Sequence, residues 1–374
     1  MKKLKKQIII FNQYFYPAYK AGGPIKSLKL LKEQIDKKLF VTIFTSSFDI
    51  DKKKVNHQKK FRDIKNFDTF FSLIVFLFKN FFLKRTDCIV YFNSFFNLKY
   101  TILPLIFFKF FTKNTYIVLA PRGELFISEI SKKIIKKKIY LIFFKLFLKQ
   151  KIIFHATSLF EKKSIKTIFP TNKIKVLSNI VDKIDSYNMK FNKIKIPYRF
   201  IFFSRISRKK NLLKTINLLS KVRLPILLDL YGPIEDRFYW KKIQLKIAVL
   251  KKENRQLTIK YKGIIKFNKY KILNKYNFYI LLSDSENFGH SIFEAIASKC
   301  FPIIPKNSPW AKYKKKGFNL LLDVDDISAH IKIENFIKKI KTNFNFYKKE
   351  LDLLIKDIYQ DQMKINYEKF FNNI

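Results

Sequence analysis

The stretch FYILLSDSENFGHSIFEAIASKCFPIIP (residues 278–305) contains the unit that decides the fold. Two apolar runs, FYILLS (278–283) and FPIIP (301–305), have the length of buried β-strands. Between them, Gly289 permits a sharp turn into a helix that begins near Ser291. Parallel strands need a connection of a dozen or more residues, usually a helix, so this unit predicts a parallel sheet in an α/β fold.

Short apolar runs alternate with longer, lysine-faced amphipathic segments along the rest of the chain, as in repeated βαβ units. The predicted strands of the first half are QIIIFN (7–12), FVTIFTS (40–46), CIVYFN (88–93), YIVLAP (116–121), IIFHAT (152–157) and IKVLSN (174–179). After a break at residues 192–200, the others are RFIFFSR (199–205), ILLDLYG (226–232), TIKYKG (258–263), FYILLS (278–283), FPIIP (301–305) and NLLLDV (319–324). This pattern predicts two doubly wound, Rossmann-like parallel-sheet domains, at residues 1–192 and 193–374.

Ligands of open α/β sheets bind outside the carboxyl ends of the strands, where helix N-termini offer N–H groups without partners. Two such domains that face each other therefore predict one cleft lined by loops from both. The tail from 346 to 374 has helical spacing and no strand signal. It could pack on either domain, and we include its helices in the second.

The charge of the chain indicates an anionic partner. The 374 residues include 77 Lys and Arg against 28 Asp and Glu, which gives a formal net charge of +49. Part of this excess reflects composition, because 7 Gly with 43 Phe and abundant Lys, Ile and Asn is typical of an AT-rich genome. Interleaving of the basic residues with Phe and Ile favours an anionic membrane surface over nucleic acid.

Apolar runs in the chain stop short of the roughly 20 residues that a membrane-spanning helix needs. The start, MKKLKKQIIIFNQYFYP, resembles a signal peptide, but its apolar part is too short. We therefore expect a cytoplasmic chain that lies peripherally on the inner face of the membrane. Two cysteines and four histidines at no ligand-like spacing predict neither a disulfide framework nor a metal site.

Two glutamates follow the strand at 278–283 and carry the first functional signal. Glu286 lies in the loop at the carboxyl end of the strand, and Glu294 lies in the first turns of the next helix. The first N–H groups of this helix would point at an anion in the cleft, which the helix dipole stabilises. Alternatively, Ser291-x-x-Glu294 fits a capping box, which would explain Glu294 without a ligand.

Two further signals lie in strand-to-helix loops. SRISRKKN (204–211) places Arg205 and Lys210 on the same edge of the second sheet as Glu286, and such cations suit a diphosphate. In so basic a chain, a solvated face explains this pair equally simply. In the first domain, Gly22 and Gly23 precede Pro24, so that backbone can approach a phosphate or sugar closely, unless they form a plain turn.

Together these motifs resemble glycosyltransferase family 4, retaining enzymes of the GT-B fold, and within it members that build bacterial surface polysaccharides. Glu286 and Glu294 stand at the spacing of its E-x7-E motif, and Arg205-x4-Lys210 matches its diphosphate-binding motif. Four more segments are similar to family motifs: LAPRGEL (119–125), FHATSLFEKKSI (154–165), LSNIVD (177–182) and YGPIED (231–236). The resemblance spans residues 8 to 330.

The resemblance implies a role for each matching residue. Glu286 would contact the donor hexose, Glu294 the ribose, and Arg205 with Lys210 the leaving diphosphate. Gly22 and Gly23 would close over the phosphates, and the anion site would be completed by backbone N–H groups around Phe288, Gly289, His290 and Ser291. Arg122, His155 and Asn179 would lie on the acceptor side or in the cleft, although His155 could equally be a core histidine. No metal and no cofactor are expected, because fixed cations and helix-end donors stabilise the diphosphate. Departures from the family pattern are Ser204, Ile180, Asn211 and Lys299, each where glycine is usual.

The resulting hypothesis is a retaining, metal-independent transferase that moves a sugar from a nucleoside-diphosphate sugar to a lipid-linked or polysaccharide acceptor in cell-surface glycan biosynthesis, with no nucleic-acid partner. A metal-dependent GT-A transferase is the second enzyme class, for which Asp49-x-Asp51 and Asp323-x-Asp325 supply the DxD pattern. The third is a non-catalytic basic scaffold that binds membrane or nucleic acid and keeps a degenerate GT-B fold. The base, sugar, acceptor, linkage and oligomeric state stay open.

Overall fold

The computed structural model describes residues 7–18, 22–36, 38–57, 61, 63–82, 88–131, 134–186, 189–253, 256–265, 267–316, 320–323 and 325–374. The chain divides into two compact units. The first unit comprises Met1–Asp182 and Met363–Ile374, and the second unit comprises Lys183–Gln362.

The first unit is built on a seven-stranded parallel sheet of order β3-β2-β1-β4-β5-β6-β7. Its strands are β1 (Gln7–Phe11), β2 (Phe40–Thr45), β3 (Ile64–Asn66), β4 (Cys88–Phe92), β5 (Tyr116–Leu119), β6 (Ile152–Ala156) and β7 (Lys173–Val176). The strand order reverses between β1 and β4, so the crevice in which such sheets bind ligands opens at the carboxyl ends of these two strands.

Helices cover both faces of this sheet. They are α1 (Gly23–Ile35), α2 (Phe70–Phe81), α3 (Leu103–Phe110), α4 (Ile127–Ile130), α5 (Ile134–Phe143) and α6 (Leu159–Ile168), with π-helical turns at Leu98–Ile102 and Phe144–Leu148. Side chains of α2, α3, α5 and α6 share one core with alternate strand residues such as Phe11 and Phe92. Because successive strand residues point to opposite faces, Ile10 and Tyr91 join a second core with α1 on the other face.

The second unit repeats this architecture on a six-stranded parallel sheet of order β10-β9-β8-β11-β12-β13. Its strands are β8 (Tyr198–Phe203), β9 (Ile226–Tyr231), β10 (Leu257–Gly263), β11 (Phe278–Ile280), β12 (Phe301–Pro305) and β13 (Leu320–Leu322). Its α-helices are α7 (Leu212–Leu219), α8 (Arg237–Glu253), α9 (Lys269–Leu273), α10 (His290–Ala297), α11 (Ala329–Thr342) and α12 (Phe344–Met363), and 3-10 helices occupy Arg208–Lys210 and Pro309–Lys316. Its strand order reverses between β8 and β11.

The predicted fold class, two doubly wound parallel-sheet α/β domains, is confirmed. All twelve predicted strands are present, although Asn319 and Val324 of the last one lie outside the described residues. The sequence pattern missed β3, a three-residue strand at the edge of the first sheet.

The division of the chain differs from the predicted one at 192/193. It falls after Asp182, and the last helix, α13 (Tyr367–Asn372), belongs to the first unit instead of the second. Tyr367, Phe370 and Phe371 explain this placement, because they are buried in the core that α1 shares with the first sheet. The segment is also tied to α1 by hydrogen bonds, as Gln34 donates to the carbonyl of Ile365 and accepts from the Tyr367 N–H.

Among the described residues, no helix combines the length and the apolar character that crossing a bilayer requires.

Candidate active site

A buried ion pair lies where the strand order of the second sheet reverses. Lys210 follows β8 and Glu286 follows β11, and these neighbouring parallel strands bring their carboxyl ends to one edge. The Lys210 Nζ lies 2.5 Å from the Glu286 Oε1, and the Ser283 hydroxyl donates to the same oxygen at 2.8 Å. Lys210 and Glu286 are only 9% and 8% exposed. The structure thus brings together two residues that are 76 positions apart in sequence.

The pair perturbs both titrations. Burial alone would raise the pKa of Glu286, but the Lys210 charge and the hydrogen bonds from Lys210 and Ser283 outweigh it and hold that pKa below its usual value. Burial lowers the pKa of Lys210 more than Glu286 raises it, and the nearby cations Lys209 and Arg205 lower it further. Glu286 is therefore an ionised acceptor at neutral pH, and Arg205 lies close enough to Lys210 for their charges to interact.

Arg205 is held by an acidic side chain from the next strand-end loop. Its Nη1 lies 2.9 Å from the Glu235 Oε2, and both side chains are exposed. Its Nε and Nη2 groups donate to none of the described residues, so two sides of the guanidinium fork remain available to a ligand. The predicted cations therefore sit in one region, each beside a carboxylate.

The loop before α10 presents backbone donors at the same edge. The helix begins at His290 with Gly289 as its N-cap, in the left-handed conformation at φ 78°. The N–H groups of Gly289 and Ser291 donate to none of the described residues. The Phe288 and His290 rings pack on each other, and the Ser291 hydroxyl lies 2.9 Å from the Tyr279 hydroxyl. The predicted donor-side residues of this loop thus include two whose backbone N–H groups have no acceptor in the described part of the chain.

Glu294 does not cap its helix. Because the helix begins at His290 instead of after Ser291, Glu294 is its fifth residue, beyond the reach that a capping box requires. Its Oε1 instead lies 2.7 Å from the Nζ of Lys269 on α9, and the carboxylate is almost fully buried. The local alternative is therefore wrong, and Lys269 is a partner that the sequence pattern did not reveal.

The four residues that replace a glycine of the family motifs, Ser204, Ile180, Asn211 and Lys299, differ in backbone conformation. Asn211 and Lys299 adopt left-handed backbone, at φ 51° and φ 67°, so the glycine conformation persists without the glycine. Lys299 is buried, and its Nζ lies 2.5 Å from the Asp352 Oδ1 on α12. Ser204 and Ile180 have ordinary negative φ. At two of the four positions another residue thus adopts the backbone conformation that favours glycine.

Arg122 forms the centre of a polar network in the first unit. Its Nε donates to Asn93 at 2.6 Å, its Nη1 to Asn179 at 2.7 Å and its Nη2 to the Tyr91 hydroxyl at 2.8 Å. The Tyr91 hydroxyl lies 2.7 Å from the His155 Nδ1. Arg122, His155 and Asn179, predicted as one group, are therefore brought together, through a tyrosine that the sequence pattern did not single out.

His155 is fully buried on β6, which fits the alternative of a core histidine. Its Nε2 lies 2.8 Å from the carbonyl of Leu177, and a carbonyl can only accept, so Nε2 carries the proton. Nδ1 then accepts from Tyr91. Burial, aided by the Arg122 charge, lowers the pKa of His155 to about 3. A histidine so held stays neutral at physiological pH and orients Tyr91.

This pKa predicts an acid-sensitive fold. Between pH 6.5 and 3, His155 is protonated in the unfolded chain but neutral in the folded chain. The free energy of unfolding therefore decreases as the pH falls through this range. We expect this residue to lower the free energy of unfolding by about 2.5 kcal/mol between pH 7 and pH 4.5. Urea denaturation of the protein and of a His155→Gln variant at both pH values measures it, and an equal pH dependence in the two would contradict the assignment.

Two glutamates, the buried Glu161 and the half-buried Glu124, connect the loops around Arg122 by hydrogen bonds. Glu161 accepts from the Gly123 N–H at 2.6 Å and from the Thr157 N–H and hydroxyl at 2.7 Å, which joins the loops after β5 and β6. Glu124 accepts from the N–H groups of residues 95 and 96, at 2.7 and 2.8 Å, which joins the loops after β4 and β5. Arg122 itself has left-handed backbone at φ 56°, and these contacts offset that strain.

Gly22 and Gly23 lie at the start of α1, at the carboxyl end of β1. Gly22 is the N-cap at φ 81°, a conformation that favours glycine, and Pro24 occupies the first turn. The neighbouring residues 19–21 lie outside the described part of the chain. The predicted contact of these glycines with donor phosphates stays a prediction.

Comparison with known proteins finds a family model that is similar to the second unit. Residues 184–350 match the family model described as glycosyl transferases group 1. This match covers most of the second unit and shows what that unit is similar to. The match contains the Lys210–Glu286 pair, Arg205 and Glu294, and it confirms the predicted enzyme class, a glycosyltransferase. No curated protein matches the sequence.

Solved glycosyltransferases share the fold of the whole chain. HepE of Anabaena, solved with UDP and glucose, is 15% identical with a TM-score of 0.72, over 99% of this chain and 100% of HepE. Sucrose-phosphate synthase of Thermosynechococcus elongatus is 14% identical with a TM-score of 0.68, over 99% and 100%. A glycosyltransferase of Rickettsia africae is 15% identical with a TM-score of 0.61, over 97% and 100%. At such identities the likeness shows the fold alone, and it supports the GT-B assignment.

The two-sheet fold excludes the GT-A alternative, which requires a single nucleotide-binding sheet. Of the DxD residues, Asp325 pairs with Lys214 at the surface, and Asp49 accepts from the Ile50 N–H in a loop of the first unit. Within the described ranges, no group of three His, Cys, Asp or Glu side chains is placed to hold a metal ion.

Proposed function

We propose that this glycosyltransferase is a retaining, metal-independent enzyme of the family 4 type. It transfers a sugar from a nucleoside-diphosphate sugar to a lipid-linked or polysaccharide acceptor in bacterial cell-surface glycan biosynthesis. The observation that carries the proposal is the buried Lys210–Glu286 pair, which sits at the strand-order reversal of the second sheet beside the N-terminus of α10. Neither a scaffold nor a solvated face needs a buried ion pair there, because burying two charges costs several kcal/mol per ion.

The chemistry follows from charge placement. As the bond between the anomeric carbon and the diphosphate breaks, negative charge develops on the leaving phosphate oxygen. Lys210, the free side of Arg205 and the N–H groups of Gly289 and Ser291 would stabilise it without a metal or cofactor. Glu286, ionised and held by Lys210, would accept hydrogen bonds from the hexose hydroxyls.

Glu294 and the glycines complete the donor site in this proposal. Glu294, oriented by Lys269, would accept hydrogen bonds from the ribose hydroxyls. Gly22 and Gly23 would approach the donor phosphates. HepE, whose fold this chain shares, was solved with UDP and with UDP-glucose, which makes UDP the first nucleotide to test.

The first unit would supply the acceptor side. All three guanidinium nitrogens of Arg122 donate hydrogen bonds to neutral oxygens, those of Asn93, Asn179 and Tyr91. This favours a role in which Arg122 orients the two amides and adds positive potential, without itself being catalytic. Because Arg122 occupies its Oδ1, Asn179 would present its amide N–H groups to an acceptor.

One face of the first unit carries the features of a membrane-docking surface. The outward side of α5 and of the π-helical turn that follows it exposes four apolar residues at helical spacing, Ile135, Ile139, Ile142 and Leu146. We call this side the apolar-basic face. Exposed lysines at 136, 138, 145 and 149 flank this stripe. Exposed Phe residues of α2 and α3 lie on helices that cover the same face of the sheet. Basic amphipathic helices of this kind bind anionic lipid, so we propose a peripheral position on the inner membrane face.

Nucleotide binding tests the donor site. We expect one of UDP, GDP or ADP to bind with a Kd in the micromolar range in the presence of a chelator, as measured by isothermal titration calorimetry. The Arg205→Ala/Lys210→Ala variant should lose this binding, because the cations that face the diphosphate are gone. If none of the three binds while salt-sensitive binding to anionic vesicles or nucleic acid is tight, the scaffold alternative is correct.

A further inference from the structure

Trp310 contacts the loop that supplies the backbone donors of the second unit. It follows β12 in the 3-10 helix Pro309–Lys316 and is 4% exposed. Its indole Nε1 donates to the carbonyl of Phe288 at 2.5 Å. Its ring packs on Phe288 and stacks on Phe293 of α10. One side chain from outside the loop therefore holds both the loop and the helix that follows it.

The hydrogen bond from Trp310 to the Phe288 carbonyl sets the direction of the Gly289 N–H. The peptide between Phe288 and Gly289 is planar and trans, so its C=O and N–H point to opposite sides. With the carbonyl fixed on Trp310, the Gly289 N–H is turned away from the indole. This N–H donates to none of the described residues, so it is available to a ligand.

The turn and the indole fit closely. A methyl group at Gly289 would lie 2.8 Å from the Ile292 Cδ1 and 3.3 Å from the Trp310 Nε1. The carbonyl of Gly289 meanwhile accepts from the Ile292 N–H at 3.0 Å, which fixes the next peptide of the turn. Rotation of the Phe288–Gly289 peptide would break the indole hydrogen bond to the Phe288 carbonyl.

We infer that Trp310 is a positioning residue of the donor site, whose indole N–H fixes the Phe288–Gly289 peptide so that the Gly289 N–H faces the donor diphosphate. This inference rests on the proposed function. It adds a residue that lies outside the family motifs of the chain, and it makes the indole a reporter of the loop to which a diphosphate binds.

The first experiment removes the indole N–H. Trp310→Phe keeps an aromatic ring and loses the indole N–H. We expect the Kd of UDP to rise about tenfold, which corresponds to a loss of about 1.4 kcal/mol in binding free energy. The matched control is Trp240→Phe. Trp240 packs on Tyr261, and its indole makes no hydrogen bond to the described residues, so its loss should leave the Kd within about twofold. A folded Trp310→Phe protein that binds UDP as tightly as the unsubstituted protein would overturn the inference.

A second experiment keeps the site intact. The chain has two tryptophans, so in Trp240→Phe protein all tryptophan emission comes from Trp310. UDP should change this emission with the same Kd that calorimetry gives, and Arg205→Ala/Lys210→Ala should abolish the change. UDP binding by calorimetry with unchanged emission would refute the positioning role and leave the proposed function standing. Absence of nucleotide binding by the unsubstituted protein would refute the proposed function itself.

Discussion

Lys210→Met should lower kcat/KM for sugar transfer by at least about 10³-fold. Removing one group that stabilises developing negative charge typically costs 10² to 10³ in rate, and here the ground-state contact with the diphosphate is lost as well. Methionine keeps the length and apolar stem of the side chain, so the charge and its hydrogen bond are what change. Nucleotide release from UDP-glucose or another donor identified by calorimetry measures the effect.

The same substitution should also destabilise the fold, because it leaves Glu286 buried without its cation. Breaking a buried pair by removing one partner typically costs 3–5 kcal/mol. The pKa of Glu286 lies below its usual value in the intact pair, so this stabilisation is present above about pH 4.5 and is lost as the pH falls below it. Urea denaturation at pH 7 measures the loss.

Two further variants separate catalysis from stability. In Lys210→Met/Glu286→Leu no buried charge is left unpaired, so stability should return to within about 1–2 kcal/mol while transfer stays abolished. The matched control is Lys214→Met on α7, which breaks the exposed ion pair of Lys214 with Asp325. This control should change the free energy of unfolding by less than about 1 kcal/mol and leave transfer intact. Recovery of transfer in the double variant would show that the pair is only structural.

The fold could be predicted from the sequence because its central strands are buried on both faces. Runs such as CIVYF and FYI are continuously apolar, and the amphipathic segments between them have helical spacing. Edge strand β3 lacks this signal, since only Ile64 of its three residues is buried. The tail alternates apolar residues regularly through α12 and α13, so nothing local tells which unit each helix packs on.

The candidate site was predictable only as far as its residues lie in strand-end loops. Arg205, Lys210 and Glu286 follow adjacent strands, and topology then brings them to one edge. Lys269 and Trp310 could not be predicted, because neither lies in a recognisable motif. Lys269 is 25 residues from its partner Glu294, and Trp310 is 22 residues from its partner Phe288. Local reasoning also left a capping box open as an alternative for Glu294, and the observed helix start excludes it.

The apolar-basic face of the first unit should bind vesicles that contain anionic lipid, and bind those of neutral lipid far more weakly. Each lysine near an anionic surface contributes about 1 kcal/mol, and this part is screened by salt. The apolar stripe adds to it, because Ile135, Ile142 and Leu146 are 72%, 59% and 67% exposed and can enter the headgroup boundary. Co-sedimentation with vesicles at low and high salt measures both parts.

Substituting the stripe should nearly abolish this binding. Ile135→Gln/Ile142→Gln/Leu146→Gln keeps the helix, because glutamine is a good helix former, and removes three apolar contacts of roughly 1 kcal/mol or more each. We therefore expect vesicle affinity to fall by about 10²- to 10³-fold. The control is Phe238→Gln/Leu245→Gln/Val249→Gln on α8 of the second unit, where three exposed apolar side chains also share a lysine-rich helix. An equal loss in both variants, or binding that does not depend on anionic lipid, would show that the apolar-basic face is not the docking surface.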